Sequence, residues 1–163
     1  MMIAHLPAGY IVAQTSAKNQ YLSYRTILFA ALLGSAFPDL DMIYFYLVDN
    51  RQTHHHNYIT HWPLVYLATL LTALSLVKFG QETLGKFLIW FSVAALLHMV
   101  LDSVAAPMMW LAPFSNVSLE LITIPATQPH WILSFILHWT FLFELTICAL
   151  ALILFFRRKR KES

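Results

Sequence analysis

Residues 26–48 read TILFAALLGSAFPDLDMIYFYLV, from Thr26 to Val48. The stretch has the roughly 20 residues that a helix needs to cross a bilayer. It also contains Gly34, Pro38, Asp39 and Asp41. A carboxylate at membrane depth costs about 2.5–3.5 kcal/mol on insertion scales, so two of them demand a reason. Pro38 interrupts the helix where they occur. A broken helix is tolerated inside a membrane where it lines a cavity or is buried in protein. On a regular helix Asp39 and Asp41 would point about 200° apart. In an extended or turn segment, residues two apart can face the same way. Pro-Asp-Leu-Asp therefore reads as a kink that turns both carboxylates to one side.

The rest of the chain has the same character. Of 163 residues, 59% are hydrophobic and 11% are charged, against about 25% charged in an average soluble domain. A soluble protein of this size could not hide that much apolar surface in one core. The single cysteine, Cys148, excludes an intrachain disulfide and a multi-cysteine zinc site. Residues 3–17 are small and apolar, too short for a clean span, and fit a short membrane-embedded N-terminal helix. With no basic region before it, and with His5 and Pro7 inside it, this run does not read as a cleaved signal peptide. Three further apolar segments follow, at 62–79, 87–111 and 131–156. The fold class is therefore all-α: a polytopic membrane helical bundle with four main transmembrane helices plus the short N-terminal one. Residues 1–156 form a single domain, and 157–163 form a basic cytoplasmic tail.

Half of the ten Lys and Arg residues lie in Arg157-Arg158-Lys159-Arg160-Lys161. Such a run beside an apolar helix is a topology signal, and no nucleic-acid partner is expected. If the four main segments alternate, the tail, the 78–86 turn and the 18–25 loop share one side. Together they hold nine of the ten Lys and Arg. The positive-inside rule makes that side cytoplasmic. The 49–61 loop and the 112–130 loop then lie outside.

The 49–61 loop carries His54, His55, His56 and His61, half of the eight histidines. His56 and His61, with Thr60 beside the second, can reach one ion from a loop or an early helical turn. His98 and Asp102 stand four apart, on one face of a helix. Both can bind one metal, or Asp102 can orient His98 from behind. By loop charge His98 falls near mid-membrane, and Asp102 about 6 Å further outward. Asp39 and Asp41 share that outward half. His138 and Glu144 are six apart and point to different helix faces, each free to pack or to line a cavity.

In this order the motifs resemble the inner-membrane, metal-dependent hydrolase family whose prototype is LexA-regulated. His5 with Gly9 is similar to its early His and Gly. Pro38-Asp39-x-Asp41 is similar to its Pro-Asp-x-Asp at a membrane break. His56 to His61 is similar to its His-Arg-x-x-Thr-His, with Thr60 kept. His98 and Asp102 match its His-x-x-x-Asp, and Pro113 its downstream proline. Asn57 stands where the family usually has Arg, and Trp62 where it often has Ser. If that Arg holds an anionic group, this chain either prefers another substrate or uses another cation, such as Arg51.

The resemblance implies a divalent metal, zinc with manganese or iron as alternatives, as one or two ions. The ligands would be His5, Asp39, Asp41, His56, His61, His98 and Asp102. Asp39 or Asp102 would act as general base for a water whose pKa a bound ion lowers. His55, Thr60, Arg51 and His138 would contact substrate or support the ligands. Membrane lipids surround the protein, and a lipid-like or amphiphilic substrate entering from the outer leaflet fits the site's depth. A phosphoester is the first bond to consider. The competing class, a non-enzymatic divalent-metal transporter or metal-binding membrane protein, would use the same ligands but need a second, inward exit.

Overall fold

The computed structural model describes residues 3–16 and 22–162. It is helical, and its only β pairing among the described residues is an isolated antiparallel bridge between Met108 and Leu119. Helix α1 runs His5–Thr15. Its last turn is closed by the Thr15 and Ser16 hydroxyls, which donate to the Val12 carbonyl at 3.0 and 2.7 Å.

Helix α2 spans Tyr24–Ala36. Ser23 precedes it as N-cap and accepts from the Thr26 N–H at 3.2 Å, satisfying one of the orphan donors of a helix start. The helix stops at Pro38, which has no N–H to give to the carbonyl four residues back. A 3-10 turn, Pro38–Leu40, leads into α3, Asp41–Leu47. The chain bends by 49° there, as the Pro-Asp-Leu-Asp stretch predicts.

Helix α4 covers Pro63–Lys78, with Pro63 in its first turn. It ends in a Schellman arrangement around Gly80, whose φ is +85°. The N–H groups of Gly80 and Gln81 reach the Val77 and Leu76 carbonyls. Helix α5 follows at once, Glu82–Asp102. It begins five residues earlier and ends nine residues earlier than the apolar segment 87–111 suggests. Residues 103–111 are turns on the way to Pro107 and the Met108–Leu119 bridge. Apolar turns and apolar helix look alike in composition, so hydropathy alone runs past the helix end. Asp102 is consequently the last residue of α5 instead of lying more than two turns inside it.

The segment 131–156 divides. A short helix α6, Trp131–Ile136, breaks at residues 137–139 before α7, Thr140–Glu162. The Arg157–Lys161 run lies within α7 as its last turns.

Helices α5 and α7 are long and apolar enough to cross a membrane, and α2 with α3 makes a third span if the bent pair counts as one. Helix α4, with 16 residues, is about 24 Å long at 1.5 Å per residue. It falls short of the roughly 30 Å hydrocarbon core.

Helix α5 packs against α4, α2 and α1, and α1 also packs against α2 and α7. The contacts are made by small residues. Ala13, Ala31 and Ala94 gather around Ile27, and Ala95 lies with Tyr66, Met99 and Met108. Two glycines set the closest approaches. A Cβ on Gly9 would stand 2.1 Å from Ser35 Oγ, and one on Gly34 would stand 2.1 Å from the Phe91 carbonyl oxygen. Small residues that admit close backbone approach are the usual device for helix association in lipid. The start of α1, the end of α2, the start of α4 and the end of α5 all meet at one end of this bundle. At the other end, Arg158 of α7 stacks over Tyr24 of α2, 3.2 Å from its ring centre.

Candidate metal centre

The turn-rich end of the bundle collects the histidines and aspartates. His5 opens α1, Asp39 lies in the 3-10 turn after α2, and Asp41 opens α3. His55 and His56 sit in one 3-10 turn and His61 ends another, immediately before α4. His98 and Asp102 occupy the last turns of α5. His5, Asp41, His56, His61, His98 and Asp102 are all buried.

Asp102 is the centre of this group. His98 Nε2 lies 2.9 Å from its Oδ2 and His5 Nε2 lies 3.1 Å from its Oδ1. His56 Nε2 and His61 Nε2 approach Oδ2 at 3.6 and 3.9 Å. Asp39 Oδ1 closes the ring, 3.7 Å from both His61 Nε2 and His98 Nε2. The His5 and His98 rings stack with centroids 3.7 Å apart.

The other edge of three imidazoles is pinned. His98 Nδ1 is 2.8 Å from the Ser35 carbonyl, and His56 Nδ1 is 3.3 Å from the Pro107 carbonyl. His61 Nδ1 hydrogen-bonds Asp41 Oδ2, which also accepts from the Thr60 hydroxyl at 2.7 Å. The Thr60 carbonyl in turn accepts from Tyr66 Oη at 2.6 Å. Carbonyls and carboxylates only accept, so each Nδ1 carries the proton in the neutral ring. Each Nε2 then presents its lone pair to the centre. His61 Nε2 and His98 Nε2 are buried and make no hydrogen bond among the described residues. A lone pair facing a carboxylate at 2.9 Å needs a proton or a cation between them.

The spacing suits a cation. Ligand atoms about 2.0–2.2 Å from one ion stand roughly 3–4 Å from each other. Three sets have their ligand atoms within 4.8 Å of one another: His61, His98 and Asp102; His5, Asp39 and His98; and His55, His56 and His61. The first two share His98, so there is room for one ion or for two adjacent ones. Imidazole with carboxylate suits zinc, and equally manganese or iron. In the loop, burial pushes the His56 pKa down to about 2 against the pull of Asp102. Burial likewise lowers His54. Both rings are neutral at physiological pH, the state that ligates.

A cavity of about 770 Å³ opens over this cluster. Asp39, His54, His55, His56 and Asp102 are its polar lining, with Arg51 beside them on its wall. Met42, Phe45, Ile124, Trp131 and Phe135 are among its apolar lining. Asp39 is the most open of the central carboxylates, with its side chain 43% exposed.

The structure thus brings together His5, Asp39, Asp41, His55, His56, Thr60, His61, His98 and Asp102, with Arg51 at the cavity they border. His138 lies apart, in the break between α6 and α7. Its Nδ1 is 2.9 Å from Thr140 Oγ1, and it does not line the cavity. Glu144, whose role the sequence leaves open, packs. It is fully buried, and its Oε2 accepts from the Ile3 and Ala4 N–H groups at 2.6 and 3.1 Å. From α7 it holds the two residues that lead into α1, and thereby the helix that carries His5. No sequence signal marks the Ser35 and Pro107 carbonyls, because backbone acceptors have no residue type.

Together these features define an integral membrane protein of the helical class, with a buried histidine–aspartate cluster at one end. The chain belongs to the YdjM inner membrane protein family, whose model matches residues 1–162. That description concerns location and names neither an activity nor a regulator. No curated protein and no solved structure matches the chain.

Proposed function

We propose that this protein is a membrane-embedded, metal-dependent hydrolase acting on a lipid or amphiphile, with a phosphoester as the bond cleaved. One observation carries the reading. The Nδ1 atoms of His56, His61 and His98 are each engaged by an acceptor, while their Nε2 atoms converge on Asp102 at the floor of an amphipathic cavity. Metal-ligating histidines are characteristically held this way, with the far nitrogen hydrogen-bonded to a carboxylate or carbonyl.

A bound divalent ion would supply Lewis acidity and a nucleophilic water at neutral pH. His5, His56, His61, His98 and Asp102 would hold it, with Asp41 orienting His61. Asp39 borders both the ligands and the open cavity, so it is the carboxylate placed to take a proton from the attacking water. Asp102 is buried among imidazoles and is better suited to holding than to proton transfer. The Lys and Arg distribution orients the cluster toward the outer face of a bacterial-type inner membrane, with the C-terminus cytoplasmic. In that topology α4 completes a fourth crossing, its short length made up by the loop that enters it.

The test is metal content by mass spectrometry on detergent-purified protein, wild type beside His61→Ala and Asp102→Ala. Stoichiometric metal in the wild type and its loss from both variants is the expected result. A wild type that stays metal-free after reloading with zinc or manganese overturns the proposal.

A further inference from the structure

Arg51 is the one member of the ten Lys and Arg residues outside the segments 18–25, 78–86 and 157–161. It stands on the wall of the cavity that overlies the histidine–aspartate cluster. The chain places it there by unusual means. Asn50 and Arg51 are consecutive residues with φ of 51° and 64°. That left-handed region suits glycine, and other residues held in it cluster at functional sites. The turn is tied down on both flanks. The Arg51 N–H donates to the Phe45 carbonyl at 3.0 Å, and Asp49 Oδ2 accepts from the Thr53 N–H at 2.6 Å. The result folds Arg51 back over Tyr46, its guanidinium 4.8 Å from the ring centre.

A stacked guanidinium keeps its donor edge available for a planar or tetrahedral anion. No carboxylate lies within ion-pair distance of Arg51 among the described residues. The neighbouring carboxylates of the site face imidazoles instead. The same cavity is lined by the apolar side chains of Met42, Phe45, Trp131 and Phe135, and Trp131 is itself largely exposed. A cation beside an apolar wall is the complement of an anionic amphiphile.

We infer that Arg51 is the headgroup-recognition residue of this cavity. Its ligand is an alkyl or acyl chain bearing one phosphate-type anionic group. The guanidinium binds the phosphate oxygens as a fork, and the chain lies along Met42, Phe45, Trp131 and Phe135. This deepens the proposed hydrolase reading and rests on it for what happens after binding, but not for binding itself.

Calorimetric titration of the full-length protein in maltoside detergent tests it, with three soluble probes: hexyl phosphate, inorganic phosphate and hexanol. Wild type is expected to bind hexyl phosphate at least about tenfold more tightly than inorganic phosphate, because the chain adds apolar burial, and not to bind hexanol measurably. Arg51→Gln weakens hexyl phosphate by about tenfold or more, the usual effect of removing a charge-assisted hydrogen-bond donor. Arg51→Lys recovers part of the loss. Trp131→Ala weakens hexyl phosphate and leaves inorganic phosphate unchanged. Equal binding of hexyl phosphate by wild type and Arg51→Gln overturns the assignment. Equal affinity for hexyl and inorganic phosphate overturns the amphiphile and leaves a free-anion site. Metal content measured on the same samples separates the two readings. Arg51-dependent binding to a metal-free wild type sinks the hydrolase and keeps this inference. Full metal content with no Arg51 effect does the reverse.

Discussion

Helices α5 and α7 are close in length, 21 and 23 residues, and both are apolar enough to cross a membrane. They do different work. Helix α5 lies inside the bundle, packed by α1, α2 and α4. It delivers His98 and Asp102 to the centre of the cluster in its last turns. Helix α7 lies outside, packed chiefly on α1, with Leu142, Leu145, Leu152 and Phe156 exposed as a lipid-facing side would be. Its buried carboxylate Glu144 grips the Ile3 and Ala4 N–H groups just ahead of α1. An ionisable residue in a membrane span thus joins a buried histidine–aspartate cluster in one helix and caps a neighbouring segment in the other. Hydropathy cannot tell them apart, because it does not record what each carboxylate faces.

The sharpest way to break this contrast is to remove the carboxylate of α5. Asp102→Ala should take bound metal from stoichiometric to background, since four imidazoles look toward that residue. Mass spectrometry of the purified variant reads it. Retention of full metal content would demote α5 to the same structural role as α7.

Acidification probes the loop that completes the α5 site. His56 has an unfolded pKa near 6.5 and is pushed down to about 2 in the fold. Below 6.5 the unfolded chain therefore binds a proton that the folded one refuses. The stability that neutral His56 contributes is fully present above pH 6.5 and is lost progressively as pH falls below it. Thermal midpoints of metal-free protein should drop between pH 7.5 and pH 5, and His56→Gln should flatten that slope.

A smaller effect is expected one step behind the ligands. Asp41→Asn keeps the shape beside His61 and Thr60 but removes the charge that His61 faces. Metal affinity should weaken by about 10–100-fold, the usual cost of losing such an orienting partner. Competition with a chelator measures it.

The smallest effect should come from α7. Glu144→Gln weakens a charge-assisted cap on the Ile3 and Ala4 N–H groups, the second of them buried. A loss of about 1–3 kcal/mol follows, a few degrees in thermal midpoint, with metal content unchanged at saturating metal. If Glu144→Gln instead emptied the site as Asp102→Ala is expected to do, α7 would have to be counted with α5 as part of the centre.

Much of this was legible in the residues. Apolar segments with sparse charge announce a helical membrane protein. The break at Pro38 follows from a missing N–H, and the structure bends there. Ionisable residues at membrane depth marked Asp39, Asp41, His98 and Asp102 before any contact was known. Their spacing placed His98 and Asp102 on one helix face. Where the apolar segments end was not legible. Residues 103–111 are apolar turns, α4 is shorter than a clean span, and α6 separates from α7 at His138. Helix ends depend on caps and on backbone partners, which composition does not display.

The sequence by itself determined that the chain lives in a membrane, that it is helical, and which ionisable residues need an explanation. These follow from transfer free energies and from local backbone chemistry, both properties of residue type. Only the tertiary structure decided that His5, His56, His61 and His98 surround one carboxylate, that the Ser35 and Pro107 carbonyls fix two of the rings, and that Glu144 supports the cluster while Arg51 lines the cavity over it. Those outcomes depend on how α1, α2, α4 and α5 approach through Gly9, Gly34 and their alanines. Convergence of distant side chains is a property of packing, which no single stretch of the chain contains.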